Sequence, residues 1–312
     1  MTLLTILIIS IASAQGAKPL TEPSPKARLR VLLIVAHPDD EYDMAATVYR
    51  ITTELHGAAD EIIITNGESG YRYASLAERY YGVALADEPS GRKHLAKIRT
   101  EESRRAAKIL GIRQQWFFAE KNIPYTQSPD SSLNGTWHTN HIVQKISEQL
   151  KNGSYDLVFV LLPESETHGE HKAATILTLE AISQLPVESR PVVLGAAASS
   201  TMNAYYSPIA PESLTQTLTP EPEFRFDRDT RFGYNDSLSY QIVVDWVIAE
   251  HKSQGLFQTK CLQDRYENFW IFNTGASGVG GKAATFFAAV LPSNSIPGAK
   301  QMTESSKTYS RN

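Results

Sequence analysis

Apolar and polar residues alternate in long blocks along the chain, and these blocks predict strands followed by helices. Arg30 to Ala36 is a nearly continuous aliphatic run, as expected for a parallel strand covered on both faces, and residues 41–55 follow with helical spacing. Later strands are predicted at "DEIIITNG", "QQWFFAE", "YDLVFVLLP" and "PVVLGAAAS", and helices at "HLAKIRTEESRRAAKILGI", "HTNHIVQKISEQLKNG" and "HKAATILTLEAI". Repeated strand and helix predict a doubly wound α/β fold, in which a mostly parallel sheet carries helices on both faces.

The last third of the chain has a less regular pattern. Residues 205–235 are rich in proline, threonine and charge, which is typical of edge strands or of a lid beside the sheet. A helix at 237–254 and a strand at 267–273 complete the pattern. We expect a single domain over 29–292, with 205–238 as an irregular insertion or lid and 293–312 as a flexible tail.

The first residues carry the features of an export signal. "MTLLTILIISIASAQG" joins an apolar run to Ala12-Ser13-Ala14, a small-x-small site just before Gln15. This predicts a signal peptide over 1–14 and a Pro-rich linker over 15–28. No Lys or Arg precedes the apolar run, which leaves an uncleaved anchor or a buried segment as alternatives. The signal predicts a periplasmic or extracellular protein. Because no other segment is long and apolar enough to span a bilayer, we expect no membrane span after signal cleavage.

Charge and cysteine content exclude several classes of partner and site. Lys and Arg number 30 against 34 Asp and Glu, a net charge of −4, so the chain has no general positive field for nucleic acid or an anionic membrane. Cys261 is the only cysteine. The chain therefore has no internal disulfide and no multi-cysteine metal site.

Three carboxylates and an imidazole follow the first predicted strand, in "HPDDE" from His37 to Glu41. In an open parallel sheet the ligand crevice lies beyond the carboxyl ends of the strands, where this motif stands. Either Asp39 or Asp40 can cap the following helix, which explains one carboxylate and leaves the others. His-x-x-Asp spacing also lets an imidazole and a carboxylate converge on one cation, and a catalytic zinc needs a third protein ligand.

The fourth strand supplies candidates for that third ligand. His168 and His171 follow it at the start of a helix, and either one completes the set. His138 and His141 have the same spacing, but they precede a helix rather than follow a strand. We therefore expect them at the other edge of the sheet and not among the ligands.

Together these motifs resemble the PIG-L/LmbE-like metal-dependent de-N-acetylases. The likeness rests on "AHPDDE", on "TNGE" after the second strand, on "IRTEESRRAAKILG", and on the His-x-x-His loop, in the order of the family over about residues 29–183. "EHKSQ", residues 250–254, also resembles the family sequence. Glu170 stands where an Asp is commoner.

The resemblance implies a role for each residue of the motifs. It implies His37, Asp40 and His171 as zinc ligands and Asp39 as the general base beside the metal water. It places His168 where it stabilises the oxyanion or protonates the leaving amine. Spacing alone does not decide between Asp39 and Asp40 as ligand. Glu41 is expected to brace the site.

Three further residues are predicted to bind substrate. The resemblance implies that Arg99 reaches the substrate; the alternative is an ion pair with Glu102, one helical turn away. Glu68, between two glycines after the second strand, faces the same crevice unless that turn merely bends the chain. Tyr71 belongs to a tyrosine-rich stretch that suits sugar binding and equally suits a cap packed on the domain. His251 either braces the site or packs in the core.

The function implied is that of a zinc-dependent amide hydrolase, which removes the N-acetyl group from an N-acetylated amino sugar or glycoconjugate of the N-acetylglucosamine type. Its partner would be a small-molecule or glycan substrate. The alternative is a non-catalytic carbohydrate-binding protein that keeps the metal as a structural pin; Asp39 speaks against it, since a structural site needs no spare carboxylate. A Rossmann-like nucleotide-binding protein is disfavoured because no Gly-x-Gly-x-x-Gly turn follows the first strand, and "GASGVGG", residues 275–281, is interpreted as a loop.

Overall fold

The computed structural model describes residues 29–254, 264–276 and 278–291 of the chain. The predicted signal peptide, linker and C-terminal tail lie outside these residues, as does Cys261. Those expectations stay predictions. Within the described residues, no helix combines the length and the apolar character needed to cross a bilayer.

Seven strands of the described residues form one sheet in the order β3-β2-β1-β4-β5-β9-β6. The strands β1 to β5 run parallel, as predicted, while β9 is antiparallel to β5 and β6 is antiparallel to β9. The antiparallel edge was not evident in the sequence. A separate hairpin joins β7 and β8. The strands are β1 (Arg30–Val35), β2 (Ala58–Thr65), β3 (Ile112–Glu120), β4 (Leu157–Leu161), β5 (Val192–Ser199), β6 (Phe224–Asp227), β7 (Arg231–Phe232), β8 (Leu238–Ser239) and β9 (Tyr266–Ile271).

Helices connect most of these strands. The helix expected after β1 is divided into a 3-10 turn (Asp40–Met44), α1 and a π-helical turn (Arg50–Glu54). The interpretation of "GASGVGG" as a loop was wrong in part, because Val279 begins a helix. The α-helices are α1 (Ala45–Tyr49), α2 (Glu78–Tyr81), α3 (Glu88–Leu110), α4 (Thr139–Gly153), α5 (Gly169–Ser183), α6 (Glu212–Thr215), α7 (Gln241–Glu250) and α8 (Val279–Val290).

Both faces of the sheet are covered, as the continuous apolar strands predict. Val31 and Leu33 of β1 point to one core, which α1, α3, α7 and α8 complete. Leu32 and Ile34 point to the other core, which is shared with α4 and α5. Burial of successive residues on opposite faces explains why β1 reads as an unbroken aliphatic run.

The strand order creates a crevice between β1 and β4. From β1 the chain winds outward through β2 and β3, and then returns to place β4 on the opposite side of β1. Ligands of open α/β sheets bind at such a reversal point, beyond the carboxyl ends of the strands. The fold therefore brings the segment after β1 and the segment after β4 to the same place.

The irregular segment 205–238 contributes to the sheet. Its strand β6 pairs with β9 at the edge, as one of the two alternatives proposed. Arg228, just beyond β6, is fully buried, and its Nε donates to Glu267 at 3.1 Å. Glu267 in turn accepts from the backbone N–H groups of Ala46 and Thr47 at the start of α1. The ion pair of Arg228 and Glu267 therefore connects the segment 205–238 to α1, the helix that follows "HPDDE".

Candidate metal centre

The turn after β1 is held by Asp40. One carboxylate oxygen of Asp40 accepts from the backbone N–H of Ala36 at 2.9 Å and from that of His37 at 2.8 Å. Burial alone would raise the pKa of Asp40, but the neighbouring His171 and His37 lower it well below its ordinary value. Asp40 is thus an anionic group fixed at the exit of the strand.

The start of α5 supplies the second half of the site. His168 is the N-cap residue of α5, and its Nδ1 accepts from the backbone N–H of Glu170 at 3.0 Å. His171 follows in the first turn of the helix and faces the turn after β1. The neighbouring strands β1 and β4 therefore bring "HPDDE" and the His-x-x-His segment into contact.

Three lone-pair donors converge in the crevice. Nδ1 of His37 lies 3.1 Å from Nε2 of His171, which lies 3.2 Å from one oxygen of Asp40. The other oxygen of Asp40 lies 3.5 Å from Nδ1 of His37. Ligands about 2.05 Å from a tetrahedral zinc are about 3.3 Å apart. The three residues that the resemblance implied as ligands therefore fit a zinc ion.

The other ring nitrogens of the two histidines are already held. Nε2 of His37 lies 2.7 Å from the carboxylate of Glu170, and Nδ1 of His171 lies 2.9 Å from Oγ1 of Thr167. Because a carboxylate only accepts, Nε2 of His37 donates to Glu170, so in the neutral ring Nδ1 would carry the lone pair that binds a cation. Sequence reasoning noted Glu170 only as a departure from the family and missed this role.

A second set of possible ligands consists of His37, His168 and Glu170. Atoms of this second set already have hydrogen-bond partners within the protein. Nε2 of His37 donates to Glu170, and Nδ1 of His168 accepts from the backbone N–H of Glu170 at the start of α5. The geometry therefore favours the set of His37, Asp40 and His171.

Asp39 lies beside this set in a strained conformation. Its φ of 139° and ψ of −15° fall in a region that residues with a side chain rarely adopt, at a cost of about 1–3 kcal/mol. No hydrogen bond to the Asp39 carboxylate is found among the described residues. Burial, followed by the neighbouring Asp40, raises the pKa of Asp39 to about 7. A carboxylate with these properties suits proton transfer near neutral pH.

His168 is neutral in this environment. Burial and the neighbouring His37 and His171 lower the pKa of His168 to about 3. Because Nδ1 accepts from Glu170, the proton of the ring is on Nε2. The exposed Tyr125 packs edge-on against His168 with ring centroids 5.1 Å apart. His168 therefore presents a neutral N–H donor at the mouth of the site.

Comparison with known proteins agrees with this geometry. Residues 32–182 match the family model of PIG-L: GlcNAc-PI de-N-acetylase. These residues form a PIG-L family domain. The matched range runs from β1 to the end of α5 and contains all of the converging side chains.

Proteins similar to this chain include named deacetylases. A probable N-acetyl-alpha-D-glucosaminyl L-malate deacetylase 2 of Bacillus anthracis is 26% identical over 187 residues, which cover 59% of this chain and 72% of the relative. The N,N'-diacetylchitobiose deacetylase of Pyrococcus horikoshii is 17% identical, with a TM-score of 0.49 and coverage of 86% and 88% of the two chains. The 4-carboxy-2-hydroxymuconate hydratase of Pseudomonas putida KT2440 is 15% identical, with a TM-score of 0.47 and coverage of 78% and 95%.

Arg99 is buried rather than exposed on the surface of α3. Its guanidinium donates to the carbonyl oxygens of Gly67, Gly70 and Ser253, and Nε donates to Oγ of Ser253 at 3.2 Å. These bonds use four of its five N–H groups. The arrangement favours a structural role, in which Arg99 clamps the turn after β2 onto the segment after α7. Within the part of the chain that the structure describes, Arg99 forms no ion pair with Glu102.

The other two residues predicted to bind substrate also have partners within the protein. Glu68 accepts from the backbone N–H of Asn122 at 3.1 Å, and its second oxygen is buried without a hydrogen bond among the described residues. The hydroxyl of Tyr71 donates to Glu88 at 2.9 Å, and its ring packs in a small cluster with Leu85 and Leu95. For Tyr71 the contacts favour the packed cap. A direct contact of Arg99, Glu68 or Tyr71 with substrate stays a prediction.

His251 braces the site from the end of α7. Its Nε2 lies 2.6 Å from the carboxylate of Glu41, and both side chains are buried. Burial alone would lower the pKa of His251, but the Glu41 carboxylate raises it to about 9. "EHKSQ" and "HPDDE" are therefore joined directly, with Glu41 as a brace, as expected.

His138 shows that one argument from topology was wrong. Its backbone N–H donates to Glu120 at the carboxyl end of β3, so the start of α4 lies at the same edge of the sheet as the candidate site. His138 and His141 are nevertheless exposed and belong to neither set of converging donors. The two histidines are therefore outside the candidate ligand set because their side chains are exposed, and not because they lie at the opposite edge of the sheet.

Proposed function

We propose that the chain is a zinc-dependent amide hydrolase that removes the acetyl group from an N-acetylated amino sugar or glycoconjugate. The observation that carries this proposal is Asp39, which lies beside three converging donors. Its backbone is strained, and its carboxylate has no hydrogen bond among the described residues. Membership of a GlcNAc-PI de-N-acetylase family and a deacetylase relative support the choice of an acetylated amine as substrate.

His37, Asp40 and His171 would hold the metal, and a bound zinc would activate water and polarise the amide carbonyl. Asp39 takes a proton from the attacking water as the new carbon–oxygen bond forms. The same carboxyl group then returns this proton to the leaving nitrogen as the carbon–nitrogen bond breaks. The products are acetate and the free amine.

His168 suits the role of a hydrogen-bond donor better than that of a proton donor. Its pKa of about 3 keeps the ring neutral, and because Nδ1 accepts from the backbone N–H of Glu170, Nε2 carries the proton that a substrate oxygen could accept. A neutral N–H stabilises the developing negative charge on the carbonyl oxygen without transferring its proton. Of the two roles implied for His168, stabilisation of the oxyanion is therefore the one that we propose.

Tyr125 marks where the sugar would lie. Its side chain is 66% exposed although it contacts His168, and its hydroxyl donates to the carbonyl of Glu166 at 3.2 Å. An exposed aromatic ring, fixed at a crevice, is suited to stacking on the apolar face of a pyranose. We place the amino sugar against Tyr125.

Release of primary amine from N-acetylglucosamine and from its glycosides tests this function. The zinc-loaded chain should release one amine for each acetate. The Asp39→Asn variant, which cannot take a proton, is the matched control for contaminating activity. Binding of these sugars without amine release would instead favour the carbohydrate-binding alternative.

A further inference from the structure

A buried asparagine connects three segments around the candidate metal centre. Asn122 follows β3 and is 4% exposed. Its Nδ2 donates to Glu170, its Oδ1 accepts from the backbone N–H of Ser69 at 2.7 Å, and its own backbone N–H donates to Glu68 at 3.1 Å. The side chain thus joins the segment after β3, the turn after β2 and the start of α5.

The orientation of the Asn122 amide is fixed by its partners. A backbone N–H only donates, so the atom that faces Ser69 must be the oxygen, while the carboxylate of Glu170 only accepts, so the atom that faces it must be the nitrogen. Rotating the amide by half a turn would break both hydrogen bonds. This segment also holds the other oxygen of Glu170, which accepts from the backbone N–H of Ile123 at 2.9 Å.

Glu170 connects Asn122 to the ring of His37. The oxygen of Glu170 that Asn122 contacts is the same one that lies 2.7 Å from Nε2 of His37. Residues that orient the ring of a metal-bound histidine tune the affinity for the metal. The geometry points to Asn122 as a positioning residue, which holds Glu170 so that Nδ1 of His37 faces the metal. This inference rests on the proposed metal-dependent function.

Two variants separate the two sides of the amide. Asn122→Asp keeps the size and the oxygen that accepts from Ser69, but replaces the donor toward Glu170 with a second carboxylate oxygen. Asn122→Ala removes both contacts and adds no charge. We expect Asn122→Asp to weaken zinc binding by about 10- to 100-fold, and Asn122→Ala to weaken it less, because no repulsive oxygen is added.

Asn134→Asp is the matched control. Asn134 is exposed, and its amide donates to Asp130 at 3.3 Å, so the same chemical change is made beside another carboxylate and away from the converging donors. Its zinc affinity should equal that of the unaltered chain.

Competition with a chromophoric chelator would give the apparent zinc dissociation constant of each purified full-length chain, and circular dichroism would check that it is folded. The weakest binding in Asn122→Asp is the expected result. Unaltered affinity in Asn122→Asp, or a larger loss in Asn122→Ala, would overturn the inference and reduce Asn122 to a tether for Ser69. Should Asn122→Asp not fold, unaltered affinity in folded Asn122→Ala would overturn it equally. An unaltered chain that binds no zinc would overturn the proposed function itself, and the inference with it.

Discussion

Asp39 and Asp40 are chemically identical neighbours, yet the structure gives them opposite surroundings. Asp40 accepts two backbone N–H groups and faces both histidines, which lower its pKa. The Asp39 carboxylate has no hydrogen bond among the described residues, and burial raises its pKa to about 7. Two carboxylates with their pKa values driven apart commonly divide the roles of ligand and base.

Asp39→Asn should abolish turnover while the metal stays bound. The amide keeps the shape of the side chain but cannot accept a proton from water, so kcat should fall by at least about 10²–10⁴-fold. Steady-state amine release and metal content would be measured on the same preparation. Retained activity would remove Asp39 as the base, whereas lost metal would make it a ligand.

His168→Ala should retain metal and lose about 10²–10³-fold in kcat, the usual cost of removing an oxyanion donor. The same two measurements apply. Loss of zinc in this variant would instead show that the set of His37, His168 and Glu170 binds the metal.

Tyr125→Ala should raise KM for an N-acetylated sugar by about 2- to 10-fold, equivalent to an aromatic contact of about 0.5–1.5 kcal/mol. Tyr125→Phe keeps the ring and loses only the bond to the carbonyl of Glu166, so its KM should stay near that of the unaltered chain. Equal KM values for all three chains would exclude sugar stacking on Tyr125.

At the scale of elements, the start of α5 depends on a close contact with the segment before α4. The N–H of Gly169 donates to the carbonyl of Thr126 at 2.6 Å, and a Cβ on Gly169 would lie 2.2 Å from the carbonyl oxygen of Ser128. The ammonium of Lys172 adds bonds to the carbonyls of Gln127 and Ser165. Glycine is therefore required where His168 and His171 enter the site.

Gly169→Ala should lower the free energy of unfolding by about 1–3 kcal/mol, as overpacking does. It should also weaken metal binding, because the helix start carries His171. Gly280→Ala in α8 is the matched control, since a Cβ there meets nothing within 4 Å, and it should leave stability equal or raise it by about 0.5–1 kcal/mol. Urea denaturation of both variants would check this. Equal stability of the two would contradict the account of Gly169.

The parallel strands and the candidate ligand residues could be predicted because each has a local signal. Each of the strands β1 to β5 contains a run of apolar residues. The family motif distinguishes Asp40 from Asp39 as the expected ligand. Other features have no local signal: the antiparallel direction of β9 depends on the chain returning to the sheet edge, and Asn122 stands in a loop without periodicity. A Glu between the two histidines of His-x-Glu-His was the one sequence clue to Glu170.

At the scale of the molecule, buried acidic groups and His251 make stability depend on pH. His251 has its pKa raised to about 9 against about 6.5 unfolded, so its contribution is fully present below pH 6.5 and is lost as the pH rises through 9. Glu41, Asp39 and Glu102 are the charged groups that influence it. Burial raises the pKa values of Glu61 and Asp43 to about 8. These two carboxyl groups therefore also make the folded state less stable as the pH rises.

The metal-free chain should therefore lose stability between pH 6.5 and 9, and His251→Gln should lose about 3 kcal/mol less over that range. The glutamine amide can still donate to Glu41 but does not titrate. Urea unfolding in the presence of a chelator at both pH values would measure the difference. The same loss in both chains would show that His251 is not charged in the folded protein.

The metal content of the purified chain tests the central claim most directly. Elemental mass spectrometry would compare the unaltered chain with His171→Ala, and with His141→Ala as an exposed control on α4. We predict about one zinc per chain in the unaltered protein and in His141→Ala, and little in His171→Ala. No metal in the unaltered chain after zinc is resupplied, or equal metal in all three, would contradict a centre built from His37, Asp40 and His171.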